Sequence, residues 1–231
     1  MHLRSYAKYD TNVLEKDEAI IMDDVQITNI DLACLAPDEW LFDNVIYFSL
    51  LYQRNFVFVD YKSEIEILSP SLSQIIKMTR KTELDSIRLQ LNSADILPKN
   101  IVLIPVNNAN NRKMGSHWSL LILLPKERAF LHMDTLFNVN EKHAFVIAEN
   151  MLNVLQEERT DYTFDNFFEP EIIQTNGYDC GLYLLHCARE SQEHFCINAG
   201  TIENFEPRLR KINSINARKV ILGRVKTLAS K

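Results

Sequence analysis

The stretch QTNGYDCGLYLLH, from Gln174 to His186, sets a cysteine between an Asn-Gly turn and apolar residues at helical spacing. If a helix begins at or just after Asp179, the Cys180 thiol lies in its first turn. There the unpaired backbone N–H groups and the positive end of the helix dipole stabilise a thiolate. Gly181 leaves space beside the sulfur, and Asn176-Gly177 supplies a tight turn that can aim nearby N–H groups. The chemistry this suggests is nucleophilic attack. Taken alone, a cysteine is more often a small apolar core residue. Cys34, Cys187 and Cys196 fit that role, each beside apolar residues with no turn on its N-terminal side.

A nucleophilic thiol needs a base, and the base needs an orienting group. His117 opens the apolar run HWSLLILL just after a polar loop, Asn107 to Ser116, and Asp134 closes the run LHMD. If the two runs are antiparallel neighbours, the end of one adjoins the start of the other and Asp134 can hydrogen-bond His117. Singly, a solvated strand-end histidine and a carboxylate capping the turn Asp134-Thr135 are the commoner roles. Gln174, ahead of Cys180 in the same stretch, has an amide that can donate to an oxyanion together with the Cys180 backbone N–H. Metal binding is the chemical rival, because Cys180, Cys187 and His194 recur every seven residues. Ligands about 10 Å apart along a helix axis cannot share one ion, so neither a metal nor another cofactor is expected.

The elements that must position these groups follow from periodicity. Pro37-Asp38-Glu39 reads as the first turn of a helix carrying Trp40, Leu41, Val45, Phe48, Leu51 and Tyr52, and Ser69-Pro70 starts another through Ile76. Short β-branched and apolar runs at Ile101 to Val106, His117 to Leu124 and Ala129 to Met133 read as three adjacent strands. Glu141 to Glu158 reads as a helix with Phe145, Ala148, Met151, Leu152 and Leu155 on one face, and Tyr162 to Phe168 as a further strand. Helices first, strands in the middle and helices last indicate an α+β domain rather than a regular βαβ alternation.

Composition bounds the partners. The 231 residues are 46% apolar and 24% charged, the balance of an ordinary globular protein, with no repeat or linker, so one domain over 1–231 is expected. Residues 1–20 are read as a flexible or extended arm. No apolar leader and no apolar run near ~18 residues is present, which points to an intracellular protein, in cytoplasm and nucleus, with no membrane role. The net charge of -6 is uneven: Arg208 to Lys231 hold eight Lys/Arg and no Asp/Glu, which leaves an acidic body. That body suits a basic partner and argues against nucleic acid. The tail, with Ile212, Ile215, Val220, Ile221, Val225 and Leu228, reads as an amphipathic helix over 208–231 with a solvated basic face.

The order His117-Trp118, Asp134, then Gln174-x-Asn176-x-x-Asp179-Cys180-Gly181 resembles the Ulp/SENP family of cysteine proteases that act on ubiquitin-like modifiers. With Trp40-Leu41-x-Asp43, the resemblance covers roughly residues 30 to 200. It implies a papain-like α+β fold with the catalytic order rearranged to His, Asp, Cys and a central, mostly antiparallel sheet flanked by helices. It implies Cys180 as nucleophile, His117 as base, Asp134 as orienting carboxylate and Gln174 as oxyanion donor. Trp40 and Trp118 match the indole walls of the tunnel that admits a Gly-Gly terminus, and Asp43 matches a position contacting the modifier's tail. Phe42 departs from the Asn or Ser usual in the WLxD element, and Met133 and Thr135 from the usual aromatic and serine neighbours of Asp134. The chain is most similar to the deneddylase branch, being nearly all catalytic domain and carrying the extended loop NNANNRKMGS before His117. The expected activity is a monomeric thiol isopeptidase for a Nedd-type modifier and its conjugates. SUMO is the runner-up modifier, and a non-catalytic module that binds a ubiquitin-like protein is the alternative from another class.

Overall fold

In the computed structural model of the chain, the three apolar runs form the middle of a five-stranded sheet. The structure describes residues 10–15, 18–89, 91–110, 114–167, 174–206 and 212–230. A hairpin of β1 (Ile20–Met22) and β2 (Val25–Ile27) is followed by α1 (Asn29–Leu32), α2 (Asp43–Tyr52), β3 (Ile65–Ile67) and α3 (Pro70–Met78). Two single-turn helices, α4 (Asp85–Arg88) and α5 (Ser93–Ile96), lead to β4 (Ile101–Asn107), β5 (Trp118–Leu124) and β6 (Ala129–Met133). Then come α6 (Glu141–Leu155), β7 (Thr163–Phe167), α7 (Cys180–Gln192) and α8 (Ser214–Ala229).

The sheet runs β3-β4-β5-β6-β7, antiparallel at its centre (β4 with β5, β5 with β6) and parallel at both edges. It is therefore mixed rather than mostly antiparallel. The two edge strands are reached by connections long enough to carry helices, which is what a parallel pairing requires. Both faces are covered, so the central strands are continuously apolar instead of alternating with polar residues. Ile101 and Leu103 of β4 with Leu120 and Ile122 of β5 join one core layer, which includes residues of α2, α7 and α8. Val102, Ile104, Leu121 and Leu123 join the other, with Ile76 of α3 and Met151 of α6. Each such buried aliphatic side chain contributes about 1.5–3 kcal/mol over its exposed state, so the strand ends that carry the site are held rigidly.

Local chemistry explains most boundaries. The Ser69 hydroxyl accepts from the Leu72 N–H at 3.2 Å and Pro70 occupies the first helical position, starting α3 as expected. The expected helix at Pro37 instead begins six residues later, at Asp43. Asp38 has φ of 67°, a left-handed conformation that cannot propagate a right-handed helix. In α6, Ala148, Met151, Leu152 and Leu155 are buried, whereas Phe145 lies at the surface edge-on to Phe164.

Both chain ends differ from the expected arrangement. In the N-terminal arm, Leu14 is buried and its backbone pairs with the Asn29 side chain, so this part is anchored. The basic C-terminal helix spans Ser214–Ala229, with residues 208–211 and 231 outside those described. Its charged face is not uniformly solvated: Arg218 is 1% exposed, and the Arg224 guanidinium lies 4.7 Å over the Tyr52 ring.

Candidate active site

The antiparallel register of β5 and β6 pairs Leu120 with Met133, which brings the residue just before β5 close to the residue just after β6. His117 and Asp134 occupy those places and both are buried. His117 Nε2 lies 2.6 Å from Asp134 Oδ1. The carboxylate is held on its other sides by backbone donors, Leu136 N–H at 2.9 Å to Oδ1 and Asn140 N–H at 2.9 Å to Oδ2. Burial would raise the Asp134 pKa, but the bond from His117 and these two N–H groups carry it below the usual range.

With Nε2 engaged, Nδ1 is the imidazole nitrogen left for Cys180. It is fully buried and closes no hydrogen bond with the described residues, yet Cys180 is near enough to act on the ring. Burial pushes the His117 pKa down, but the bond to Asp134, the contact with Cys180 and the charge on both carry it up to about 9. The ring is thus a held imidazolium at neutral pH, the proper counter-ion for a thiolate. The other three cysteines are buried thiols. Desolvation is the dominant cause in each and raises Cys34 to about 11, Cys187 to about 12 and Cys196 to about 12.

Cys180 is the first residue of α7. Asn176 shapes the approach: its Oδ1 accepts from the N–H groups of Tyr178 and Asp179 at 3.1 and 3.0 Å, a side-chain-closed turn. Asp179, at the N-cap, makes no side-chain cap. Among the described residues neither the Cys180 nor the Gly181 N–H donates to a backbone carbonyl outside the helix, as befits the first two positions of a helix. Gln174 is buried, and its backbone N–H donates to the Thr135 carbonyl at 2.9 Å, linking it to the turn after Asp134. Its amide Nε2 donates to the Asn176 carbonyl. The second amide hydrogen is directed at Asn176 Oδ1 only at the 3.5 Å limit of a hydrogen bond, so an oxyanion can capture it.

A cleft of about 480 Å³ opens onto Cys180, walled by Trp40, Trp118, Asp43, Met114 and Gly115. The Trp118 Nε1 donates to the Leu41 carbonyl at 3.2 Å, and the Trp40 Nε1 to the Gly177 carbonyl at 2.6 Å. One indole is therefore fixed in the core while the other, 47% exposed, lies across the cysteine turn. Asp43, in the first turn of α2, has its carboxyl pKa raised by desolvation against the cleft. Gly181 permits the approach: a Cβ there would lie 2.9 Å from Leu41 Cβ, which is a backbone-fixed atom. Gly181→Ala is expected to lower stability by about 1–3 kcal/mol, read as a lower thermal unfolding midpoint, because the Trp40-Leu41 segment must retreat.

Sequence reasoning missed three supporting residues. Asn140, fully buried, donates from Nδ2 to the carbonyl of His117 at 3.2 Å and to Ser119 Oγ at 3.0 Å, while its backbone N–H holds Asp134. Lys77 is buried with its ammonium on the carbonyls of Asn107 and Ala109, fastening the start of the polar loop. Desolvation lowers its pKa to about 8. Arg218 of α8 reaches Asp179 Oδ1 at 2.9 Å. Only Arg218 had a legible signal, since it shares the i, i+3, i+4, i+7 stripe of Ile221, Leu222 and Val225.

Comparison with known proteins converges on one family. Residues 67–205 match the Ulp1 protease family, C-terminal catalytic domain. The human sentrin-specific protease 8 is 33% identical over 156 residues, covering 67% of this chain and 72% of the relative. The NEDD8-specific protease 1 of Arabidopsis thaliana is 29% identical over 197 residues, covering 84% and 82%. In fold, the chain is similar to the Ulp1 protease domain solved in complex with Smt3, the yeast orthologue of SUMO. That likeness has a TM-score of 0.66 at 20% identity over 95% of this chain and 92% of that one. A matched family segment that contains His117, Asp134, Gln174 and Cys180, and close relatives over two thirds of the chain, establish that this protein belongs to the Ulp1 family of cysteine proteases.

Proposed function

We propose that the protein removes a Nedd-type modifier from its conjugates and trims the modifier's precursor, cleaving after a C-terminal Gly-Gly. The observation that carries this reading is a buried Cys180, His117, Asp134 cluster opening onto a cleft roofed by an indole. Flat rings over a narrow cleft suit a chain without side chains and turn away bulkier residues. The deneddylase branch is supported by relatives named sentrin-specific protease 8 and NEDD8-specific protease 1. SUMO is the second reading, because the similarly folded Ulp1 domain is solved in complex with the yeast orthologue of SUMO.

The Cys180 thiolate attacks the carbonyl carbon of the terminal glycine, and the oxyanion takes the Cys180 N–H and the weakly engaged second Gln174 amide hydrogen. His117 gives its proton to the leaving lysine amine, or to the peptide nitrogen of the precursor, and a thioester remains. Water then gives a proton to His117 as it attacks the thioester, and collapse releases the modifier carboxylate, a proton to solvent and the Cys180 thiolate, which restores the starting pair. Asp134 holds the ring in place throughout, Trp40 and Trp118 flank the tail, and Asp43 faces a basic residue of that tail. A reducing compartment such as cytoplasm or nucleus fits four buried, unpaired cysteines, and the same reading takes the chain as a single catalytic domain acting as a monomer. No helix among the described residues is long and apolar enough to cross a membrane.

Electrophilic probes built on Nedd-type, SUMO and ubiquitin tails, compared side by side, test the reading. The Nedd-type probe is expected to form an adduct at Cys180 at least about tenfold faster than the others. Dominant labelling by SUMO overturns the branch, and no adduct overturns the catalysis. The pH profile has a defined basic side. A folded pKa raised above the ordinary 6.5 means the proton is held below that value and lost as pH passes about 9. Turnover of a modifier-fluorophore conjugate should therefore decline with a midpoint near 9, as the general acid disappears.

A further inference from the structure

Arg218 lies in α8, thirty-eight residues after Cys180 and outside the matched family segment, yet its guanidinium ends beside the nucleophile turn. It is 1% exposed and its two terminal nitrogens make four bonds. Nη1 donates to the carbonyls of Cys34 at 2.8 Å and Ala36 at 3.0 Å. Nη2 donates to the carbonyl of Glu39 at 2.7 Å and to Asp179 Oδ1 at 2.9 Å. The three carbonyls belong to the segment that delivers Trp40 and Leu41, and the carboxylate belongs to the residue just before Cys180.

An aspartate at an N-cap ordinarily swings onto the N–H groups two and three residues on. For Asp179 those are Gly181 and Leu182. A carboxylate on the Gly181 N–H would put a negative charge where a thiolate and then an oxyanion must sit, and like charges there are costly. Asp179 does not do this: it makes no side-chain cap, its Oδ1 is taken by Arg218, and its Oδ2 accepts from Asn176 Nδ2 at 2.8 Å. We propose that Arg218 is a positioning residue for catalysis, holding the Asp179 carboxylate off the start of α7 so that the Cys180 and Gly181 N–H groups stay free for the reaction. Its bonds to Cys34, Ala36 and Glu39 are a separate, structural task that sets the Trp40 segment.

The inference rests on Cys180 as nucleophile, so active sites are first titrated with the electrophilic probe. If the wild-type chain forms no adduct at Cys180, that assignment fails before Arg218 is tested. Given an adduct, kcat per titrated site and the unfolding midpoint separate the two tasks of Arg218. Arg218→Met should lower the midpoint, raise KM because the Trp40 segment loses three bonds, and reduce kcat by at least about tenfold. Arg218→Lys keeps a cation for Asp179 but cannot span three carbonyls, so it should lower the midpoint while kcat stays within about threefold. Asp179→Asn in the Arg218→Met background should restore kcat to within about threefold without restoring the midpoint, because the freed carboxylate is gone. A purely structural Arg218 gives another pattern, with kcat equal in the Lys and Met variants and no rescue by Asp179→Asn, and that result overturns the proposal. Should the Met variant not fold, Arg218→Gln takes its place as the neutral form. Arg218→Lys is decisive even alone, since a loss of kcat there overturns the proposal.

Discussion

Cys180→Ala is expected to reduce hydrolysis of a modifier-fluorophore conjugate by about ten-thousand-fold or more while leaving the fold and modifier binding intact. The side chain is 2% exposed, so removing one sulfur leaves only a small void, and α7 keeps its backbone donors. No other thiol can take over. Cys34, Cys187 and Cys196 are buried with pKa values raised to about 11, 12 and 12, so each stays a protonated thiol at neutral pH. Steady-state turnover, a thermal melt and calorimetric binding of the uncleaved modifier form the check. Substantial residual turnover in a folded Cys180→Ala protein would mean that the nucleophile lies elsewhere.

Asp134→Asn is expected to cost about 10³ to 10⁴ in kcat, far more than the loss of one neutral hydrogen bond. The geometry gives the reason. Asp134 accepts at Oδ1 from His117 and Leu136, and at Oδ2 from Asn140, so every partner is a donor. An asparagine must turn its NH₂ toward one side. Facing Asn140, it sets donor against donor; facing His117, it requires a bare Nε2, which is incompatible with the imidazolium that Asp134 holds. Either way the negative charge that raises the His117 pKa is gone, and burial, which lowers it, is unopposed by Asp134. The basic side of the pH profile should accordingly move from near 9 to lower pH. A profile that stays in place in the Asn variant would remove Asp134 from the role of orienting carboxylate.

Much of this was legible in the residue order. The Asn176-Gly177 turn before Cys180, the apolar runs ending at His117 and Asp134, and the Ser69-Pro70 helix start are local signals, set by short-range sterics and hydrogen bonding within a few residues. They indicated the α+β class and drew the four chemical groups together on paper. The mixed pairing of the sheet was not legible, because a strand buried on both faces has the same apolar composition whether its neighbour runs with it or against it. The late start of α2 was also hidden: the acidic first turn at Pro37 is a real helix signal, outweighed by a left-handed Asp38 and by a guanidinium that binds the carbonyls of Ala36 and Glu39.

The supporting residues divide in the same way. Residue type and spacing by themselves determined which side chains can attack, protonate and orient, since those properties belong to the groups. Only the tertiary structure decided what surrounds them: that Asn140 braces His117, that Lys77 fastens the loop before it, and that Arg218 faces Asp179 across thirty-nine positions rather than facing water. A charged side chain in a helix is solvated by default. It is buried only where several distant acceptors converge, and that convergence exists in the folded chain alone.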